Sequence, residues 1–385
     1  MSPRRIVIVG AGPGGVATAR AYREHGGSGE ITMLGNETLL PYRRPPLTKE
    51  LLRGELGAQE LPIEPACWFA RQDIRLRLGR EVRAIDPDAG CVDLGDHVVY
   101  ADAIVLATGA APQRPSLPGL EDPRVQTLRE RADSERIASR AQPGTHSVVI
   151  GTGFIGCELA GSLALRGARV TLVGREPAPQ QGRLGADAAA RIAGWLADLG
   201  TTLRTDVEVR AVRAGRIVEL DDGERIEADN VLLGTGVRPR GELAERAGLE
   251  LAGGAVLTDT QMRAHERVFA VGDVACAQNR RAGRRLRVEH WGDALGQGEI
   301  AGRVLAGQDA HWEAVPGFWF AIGRRTVKYA AWGDGYDDSR LEEHPGGAFT
   351  VWYSREGRLV GVLSHERDGD YERGRELIAA GESPP

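Results

Sequence analysis

Short apolar runs rich in β-branched residues recur along this chain, and most of them end at glycine. RIVIV (5–9), AIVL (103–106), SVVI (147–150), NVLL (230–233) and VFAV (268–271) have no polar alternation. A strand with one wet face alternates, whereas a strand buried on both faces of a parallel sheet does not. Between the runs lie helical stretches, VATARAYREHG (16–26) and CELAGSLALRGA (157–168), each followed by a further strand, EITMLG (30–35) and RVTLVG (169–174). The pattern predicts βαβ units and an α/β fold. From about His311 the texture changes. TVKYAAWG, AFTVWYSREG and RLVGVLSHE alternate and break at glycine turns, which predicts an antiparallel sheet. ERGRELIAAG (372–381) predicts a closing helix, and Glu382–Pro385 a frayed tail.

Two of the strands run into Gly-x-Gly-x-x-Gly: Gly10, Gly12 and Gly15 in the first unit, Gly151, Gly153 and Gly156 in the second. One such match is weak in a glycine-rich chain. Two, each in a βαβ unit of the right length, predict two dinucleotide sites. The first glycine permits the tight turn, the second lets backbone approach a pyrophosphate, and the third lets helix pack on strand. The helix N-terminus then faces the phosphates with its positive dipole end. Past the second strand, Glu37 is placed to accept from an adenosine ribose, with Asn36 as the alternative. The strands ending at Thr108-Gly109 and Thr235-Gly236 resemble one connection used twice. Gly272-Asp273 after another strand, just before an expected helix, suits a sugar-alcohol hydroxyl near a phosphate.

Composition narrows the field. With 385 residues the chain has room for two or three domains. A formal net charge of −5 excludes a protein built to coat nucleic acid or an anionic membrane. No apolar stretch has spanning length and no secretory leader is legible, so a cytoplasmic setting is expected. Cys67, Cys91, Cys157 and Cys276 form neither a Cys-x-x-Cys nor a zinc spacing, and are expected to be isolated, buried, reduced thiols.

At this point the residues resemble a known family, the FAD-dependent ferredoxin and rubredoxin reductases of the putidaredoxin reductase type, related to apoptosis-inducing factor. PYRRPPLTKELL (41–52) is similar to that family's Tyr-x-Arg-Pro-Pro-Leu-Ser-Lys signature. The two glycine fingerprints, VFAVGDVA, EHWGDALGQG (289–298) and VPGFW (315–319) add to it. The resemblance implies a glutathione-reductase-like pair of doubly wound nucleotide-binding domains plus a C-terminal α+β interface domain. Its expected division is 1–118 with 242–310 for FAD, 119–241 for NAD(P)H, and 311–385 for the C-terminal sheet.

It further implies that Gly10, Gly12, Gly15, Glu37, Arg44, Lys49, Thr108, Gly109, Asp273, Glu289 and Trp291 hold FAD. Gly151, Gly153 and Gly156 would hold the nicotinamide cofactor. Lys49 and Glu158 would meet beneath the reactive flavin nitrogen, the lysine favouring the electron-rich ring, the glutamate limiting the lysine and contacting nicotinamide ribose or carboxamide. Trp319 would lie where nicotinamide approaches. Plain alternatives stand beside these: core tryptophans, a surface lysine, an ordinary helix glutamate. Since no cysteine lies in NETLLPYRRPP (36–46), where relatives of the disulfide-reducing kind carry a pair, electrons would leave from the flavin itself, to an iron–sulfur protein.

Two departures bear on function. The second nucleotide strand ends in Gly174-Arg175 where an acidic residue usually binds ribose hydroxyls, which favours NADPH over NADH through a 2′-phosphate, although Glu176 could serve NADH. After Trp319 comes Phe320-Ala321-Ile322 in place of the usual polar residues, which bears on the electron acceptor. Arg280, Arg281, Arg284, Arg285 and Arg287 crowd one segment, a cationic rim for an acidic ferredoxin or else a solvated loop. The expected assembly is a monomer or homodimer. Competing readings are an oxidase or a quinone or nitro-compound reductase, and a redox-sensing flavoprotein.

Overall fold

The computed structural model describes residues 3–385. It divides into two compact units: Met1–Arg43, Pro62–Ala111 and Arg238–Phe318 form one, and Arg44–Leu61, Pro112–Val237 and Trp319–Pro385 the other.

The first unit is built on the six-stranded sheet Arg263–His265, Val268–Ala270, Ala103–Leu106, Arg5–Val9, Glu30–Gly35, Ile74–Leu78, in that spatial order. All pairs but the edge one are parallel. Ile6, Val7 and Ile8 are 1% exposed or less, as an apolar run between two neighbours requires. The winding reverses at Arg5–Val9, from which the sheet grows one way through Glu30–Gly35 and the other way through Ala103–Leu106. At such a switch point the loops after adjacent strands diverge and leave a crevice at the carboxyl ends. The helix Pro13–Glu24 crosses the helix Trp291–Leu305 at van der Waals range because glycines face it. A Cβ on Gly298 would sit 2.4 Å from the Gly14 carbonyl, and one on Gly302 2.4 Å from that of Thr18.

The second unit repeats the plan: Thr201–Arg204, Arg169–Val173, His146–Ile150, Asn230–Leu233, Val125–Thr127, all parallel, reversing at His146–Ile150. Val148, Val231, Leu233, Val173 and Val125 belong to one core cluster of this unit. The same unit takes in the antiparallel strands Arg325–Ala331, Asp338–Glu343, Phe349–Arg355 and Arg358–His365, as the alternation predicted, and the helix Asp368–Ala380. The segment 44–61 is anchored here by hydrogen bonds from Ser134 Oγ to the Leu47 carbonyl and from Arg166 Nη1 to that of Leu52.

Two expectations need correction. The tail is tied rather than frayed at its start, because the Leu359 N–H donates to the Glu382 carbonyl at 2.7 Å. Gly272-Asp273 does not lead into a helix: the strand Val268–Ala270 gives way to a short 3-10 turn, Gly272–Val274, and then to the strand Ala275–Asn279. Valines and alanines on both sides of the glycine, VFAV before it and VACA after Asp273, hid this from a reading by period. No helix among the described residues is long and apolar enough to cross a membrane.

Replacing Gly302 by Ala should lower stability by about 1–3 kcal/mol, the usual cost of overpacking. Urea denaturation checks it, and Gly296→Ala, where a Cβ meets nothing within 4 Å, serves as the neutral control.

Candidate dinucleotide and redox site

The two glycine turns have the same geometry. Gly10 has φ +114° and Gly151 φ +110°. A Cβ on Gly10 would lie 2.1 Å from the Ala107 carbonyl oxygen, and one on Gly151 2.5 Å from that of Gly234. These are the ends of the strands flanking each switch point. A Cβ on Gly15 or Gly156 would strike the carbonyl of Gly10 or Gly151, at 2.4 and 1.8 Å. The middle glycines differ: nothing lies within 4 Å of a Cβ on Gly12, and nothing nearer than 3.6 Å of one on Gly153. Outer glycines that face protein and a middle one that faces open space make a cradle shaped for a pyrophosphate. Each following helix has a glycine N-cap, no side-chain cap and no acidic residue in its first turn. Nothing there competes with an anion.

Around the first turn, Glu37 is half-buried and accepts from the Tyr42 hydroxyl at 2.6 Å. Thr108 Oγ1 donates to the Arg240 carbonyl, and the Gly109 carbonyl accepts from the Arg240 N–H, so this pair ties two segments of its unit together. Gly272 has φ +76° and its N–H donates to Gln297 Oε1 at 2.8 Å. Gln297 is fully buried and its Nε2 has no partner, an orphaned donor beside the turn that carries Asp273. Trp291 opens its helix half-buried, and Glu289 pairs with Arg287 at 3.3 Å. Asp293 Oδ2 accepts from the Gly317 N–H at 3.3 Å, which holds the VPGFW loop.

Around the second turn, Arg175 is exposed and has no hydrogen bond or ion pair among the described residues. Glu176 is otherwise engaged: its Oε2 accepts from the Gly182 N–H at 3.1 Å. Gln180, φ +65°, is buried and donates from Nε2 to the Thr152 carbonyl at 3.0 Å. Arg183 lies over the Phe154 ring, 5.3 Å from its centroid, at the first position of the helix Phe154–Leu165. The helix Gln181–Asp198 breaks at Gly185, φ +81°, and Tyr353 Oη donates to the Leu184 carbonyl there. Gln180 and Arg183 carried no sequence signal, because their partners, Thr152 and Phe154, lie 28 and 29 residues away.

Lys49 and Glu158 meet as expected. Nζ lies 2.9 Å from Oε1 and 3.0 Å from Oε2, in a site where both residues are 6% exposed or less. Thr48 Oγ1 donates to Oε2 at 2.5 Å and the Ala321 N–H to Oε1 at 3.0 Å. Lys49 is therefore no surface charge, and Glu158 is a buried, ion-paired member of its helix. Arg44 is half-buried and donates to the Arg129 carbonyl at 2.6 Å. Trp319 is 43% exposed, so it is no core residue. Phe320, Ala321 and Ile322 are buried, so the change from polar residues lies inside the protein.

The cysteines correct an expectation, since only Cys157 is buried; Cys67 is exposed, and Cys91 and Cys276 are half-buried. All four are free. Burial pushes the Cys157 thiol well above its ordinary range, with Glu158 adding to the shift, so it stays protonated.

The pyridine nucleotide-disulphide oxidoreductase family matches residues 4–298. The chain belongs to this family. Similar proteins include the ferredoxin–NAD(P)(+) reductase of a Sphingomonas species, 33% identical over 97% of this chain and 92% of the relative. Rhodocoxin reductase of Rhodococcus erythropolis is 32% identical over 97% and 89%. Among solved structures, the covalent putidaredoxin reductase–putidaredoxin complex has a TM-score of 0.93 at 29% identity, covering 99% of this chain and 94% of that one. The ferredoxin reductase for the CYP199A2 system of Rhodopseudomonas palustris also reaches 0.93, at 28% identity, with 99% and 96% covered. The fold class is therefore the glutathione-reductase-like pair of nucleotide-binding layers, and this oxidoreductase works with FAD and NAD(P)H.

Lys49→Met leaves a buried carboxylate without its counter-ion and should cost about 3–5 kcal/mol. In urea denaturation the double variant Lys49→Met with Glu158→Leu should be less destabilised than Lys49→Met alone.

Proposed function

We propose that this oxidoreductase takes reducing equivalents from NAD(P)H and delivers single electrons to an acidic, ferredoxin-type iron–sulfur protein that serves a monooxygenase or dioxygenase. One observation carries the reading: two matching glycine cradles in a chain whose four cysteines are all free and unpaired in sequence, so no disulfide relays the electrons. The relatives named for ferredoxin and rhodocoxin support it. The competing acceptors, oxygen, a quinone or a nitro compound, are outcomes of the test.

Bound FAD supplies the junction between hydride chemistry and one-electron chemistry. In our reading Gly10, Gly12, Gly15 and the Pro13–Glu24 helix end hold its pyrophosphate, and Glu37 its adenosine ribose. Asp273, on the turn held by Gln297, holds its sugar-alcohol chain, with Thr108, Gly109, Glu289 and Trp291 completing the first unit's share, and Arg44 is assigned to FAD as well. Lys49 supplies a fixed positive charge in a site from which water is excluded, where Coulomb attraction is stronger than in bulk. Trp319 offers a ring face for nicotinamide to lie against. Hydride transfer needs alignment and a favourable field rather than an acid–base pair, so these groups suffice.

Gly151, Gly153 and Gly156 hold the NAD(P)H pyrophosphate, with the Arg183 guanidinium at the same helix end. NADPH is the favoured donor, because Arg175 is unpaired while Glu176 already accepts from the Gly182 N–H. Of the arginine cluster, Arg281 and Arg287 have carboxylate neighbours at 3.9 and 3.3 Å, Glu313 and Glu289. The side chains of Arg280 and Arg285 have none among the described residues, so docking would fall mainly on them. The place of action we assign is the cytoplasm, where unpaired thiols stay reduced.

Arg175→Ala should cut kcat/KM for NADPH by about tenfold or more, the loss of a hydrogen bond to a charged group, and leave NADH within about twofold. Steady-state assays with both nucleotides check it. In stopped flow, the reduced enzyme should be reoxidised by a ferredoxin faster than by oxygen. That rate should fall with salt, and by about tenfold at low salt in Arg280→Ala with Arg285→Ala. Fast reoxidation by oxygen without ferredoxin turnover would replace this function with the oxidase reading.

A further inference from the structure

Each carboxylate oxygen of Glu158 is engaged by two donor contacts. Oε1 accepts from Lys49 Nζ at 2.9 Å and from the Ala321 N–H at 3.0 Å. Oε2 accepts from the Thr48 hydroxyl at 2.5 Å and again from Lys49 Nζ at 3.0 Å. An ionised carboxylate offers about four lone-pair sites, and four donor contacts fill them. The side chain is 4% exposed. The contact to nicotinamide that the family resemblance implied for Glu158 finds no acceptor position open here.

Thr48, which stands at the serine position of the PYRRPPLTKELL signature, is the residue the network uses most. Its hydroxyl donates to Glu158 and accepts from Lys49 Nζ at 3.3 Å. Its carbonyl accepts from Ser162 Oγ at 2.6 Å. Ser162 stands one turn beyond Glu158 on the helix Phe154–Leu165, so Thr48 grips that helix at two points. Ala321 lies two residues beyond Trp319 in the strand Gly317–Ile322, and Phe320 packs on Phe154 with ring centroids 4.8 Å apart. One carboxylate therefore holds both the ammonium of Lys49 and the strand that presents Trp319.

We propose that Thr48 is a positioning residue for hydride transfer: through Glu158 it sets the place of Lys49 and Trp319 together. The inference rests on the oxidoreductase reading above. Glu158 is then a strap between a charge and an aromatic ring, and nicotinamide is received by Trp319 rather than by the glutamate. The hydroxyl is the working part, so serine can replace threonine and valine cannot.

The test compares Thr48→Val and Thr48→Ser holoenzymes by two readouts. One is amide hydrogen exchange of the strand 317–322, the other anaerobic single-turnover reduction of the flavin at varied NAD(P)H. In Thr48→Val, exchange at Ala321 should speed up by about tenfold and the limiting reduction rate should fall by about tenfold, as for one lost hydrogen bond, with the apparent dissociation constant within about twofold. Thr48→Ser should restore both. Ser162→Ala, which leaves every donor to Glu158 in place, should move both readouts the same way by less, and decides the matter should the valine variant fail to fold. Unchanged exchange, a loss confined to affinity, or a serine variant as poor as valine would overturn the proposal. A wild-type flavin that no nicotinamide reduces would sink the oxidoreductase reading instead, while the exchange comparison would still judge the strap.

Discussion

A charge removed from water must find its compensation inside the protein, and Glu158 is where this constraint bears hardest. Each buried ion forfeits several kcal/mol of hydration. Lys49 returns part of that by Coulomb attraction, and two neutral donors, the Thr48 hydroxyl and the Ala321 N–H, complete the shell. Such a shell has little freedom. Moving any member exposes an unmatched charge, so three separate stretches of the second unit, 44–61, the Phe154–Leu165 helix and the strand after Trp319, keep one arrangement. A redox site gains from this, because electron and hydride transfer are sensitive to small displacements.

The glycine cradles work by the opposite means, through atoms that are missing. At Gly10 and Gly151 a methyl group would collide with the neighbouring strand end, and at Gly15 and Gly156 with the turn itself. Only the middle positions open outward. The equality of φ and of clash partners in two units related by no close sequence identity points to one mechanical solution used twice. Each is set where the strand order reverses, which is where a parallel sheet leaves room for a ligand.

Much of this was legible in the chain. Strand identity was readable because Arg5–Val9 and His146–Ile150 are buried on both faces and so carry no polar alternation. The glycine turns were readable because a close backbone approach admits one residue type. Lys49, Glu158 and Trp319 were named from a family resemblance rather than from period or spacing; the structure buries the first two as an ion pair and leaves the third 43% exposed. What stayed hidden depends on partners far away in sequence. Gln297 meets Gly272 across 25 residues, and Thr48 meets Glu158 across 110. The helix Gln181–Asp198 breaks at Gly185, which a period of 3.6 passes over, and the 3-10 turn at Gly272–Val274 was hidden by the small apolar residues that follow it.

The thiols give the chain one more property. A flavin that meets oxygen produces peroxide, and peroxide attacks thiolates first. Cys157, next to the second glycine turn, is kept protonated by burial, and the exposed Cys67 belongs to the other unit and forms no part of the proposed electron path. An enzyme wired in this way has no sulfur on its conducting route for its own by-product to poison, so occasional leakage costs it electrons and not its life.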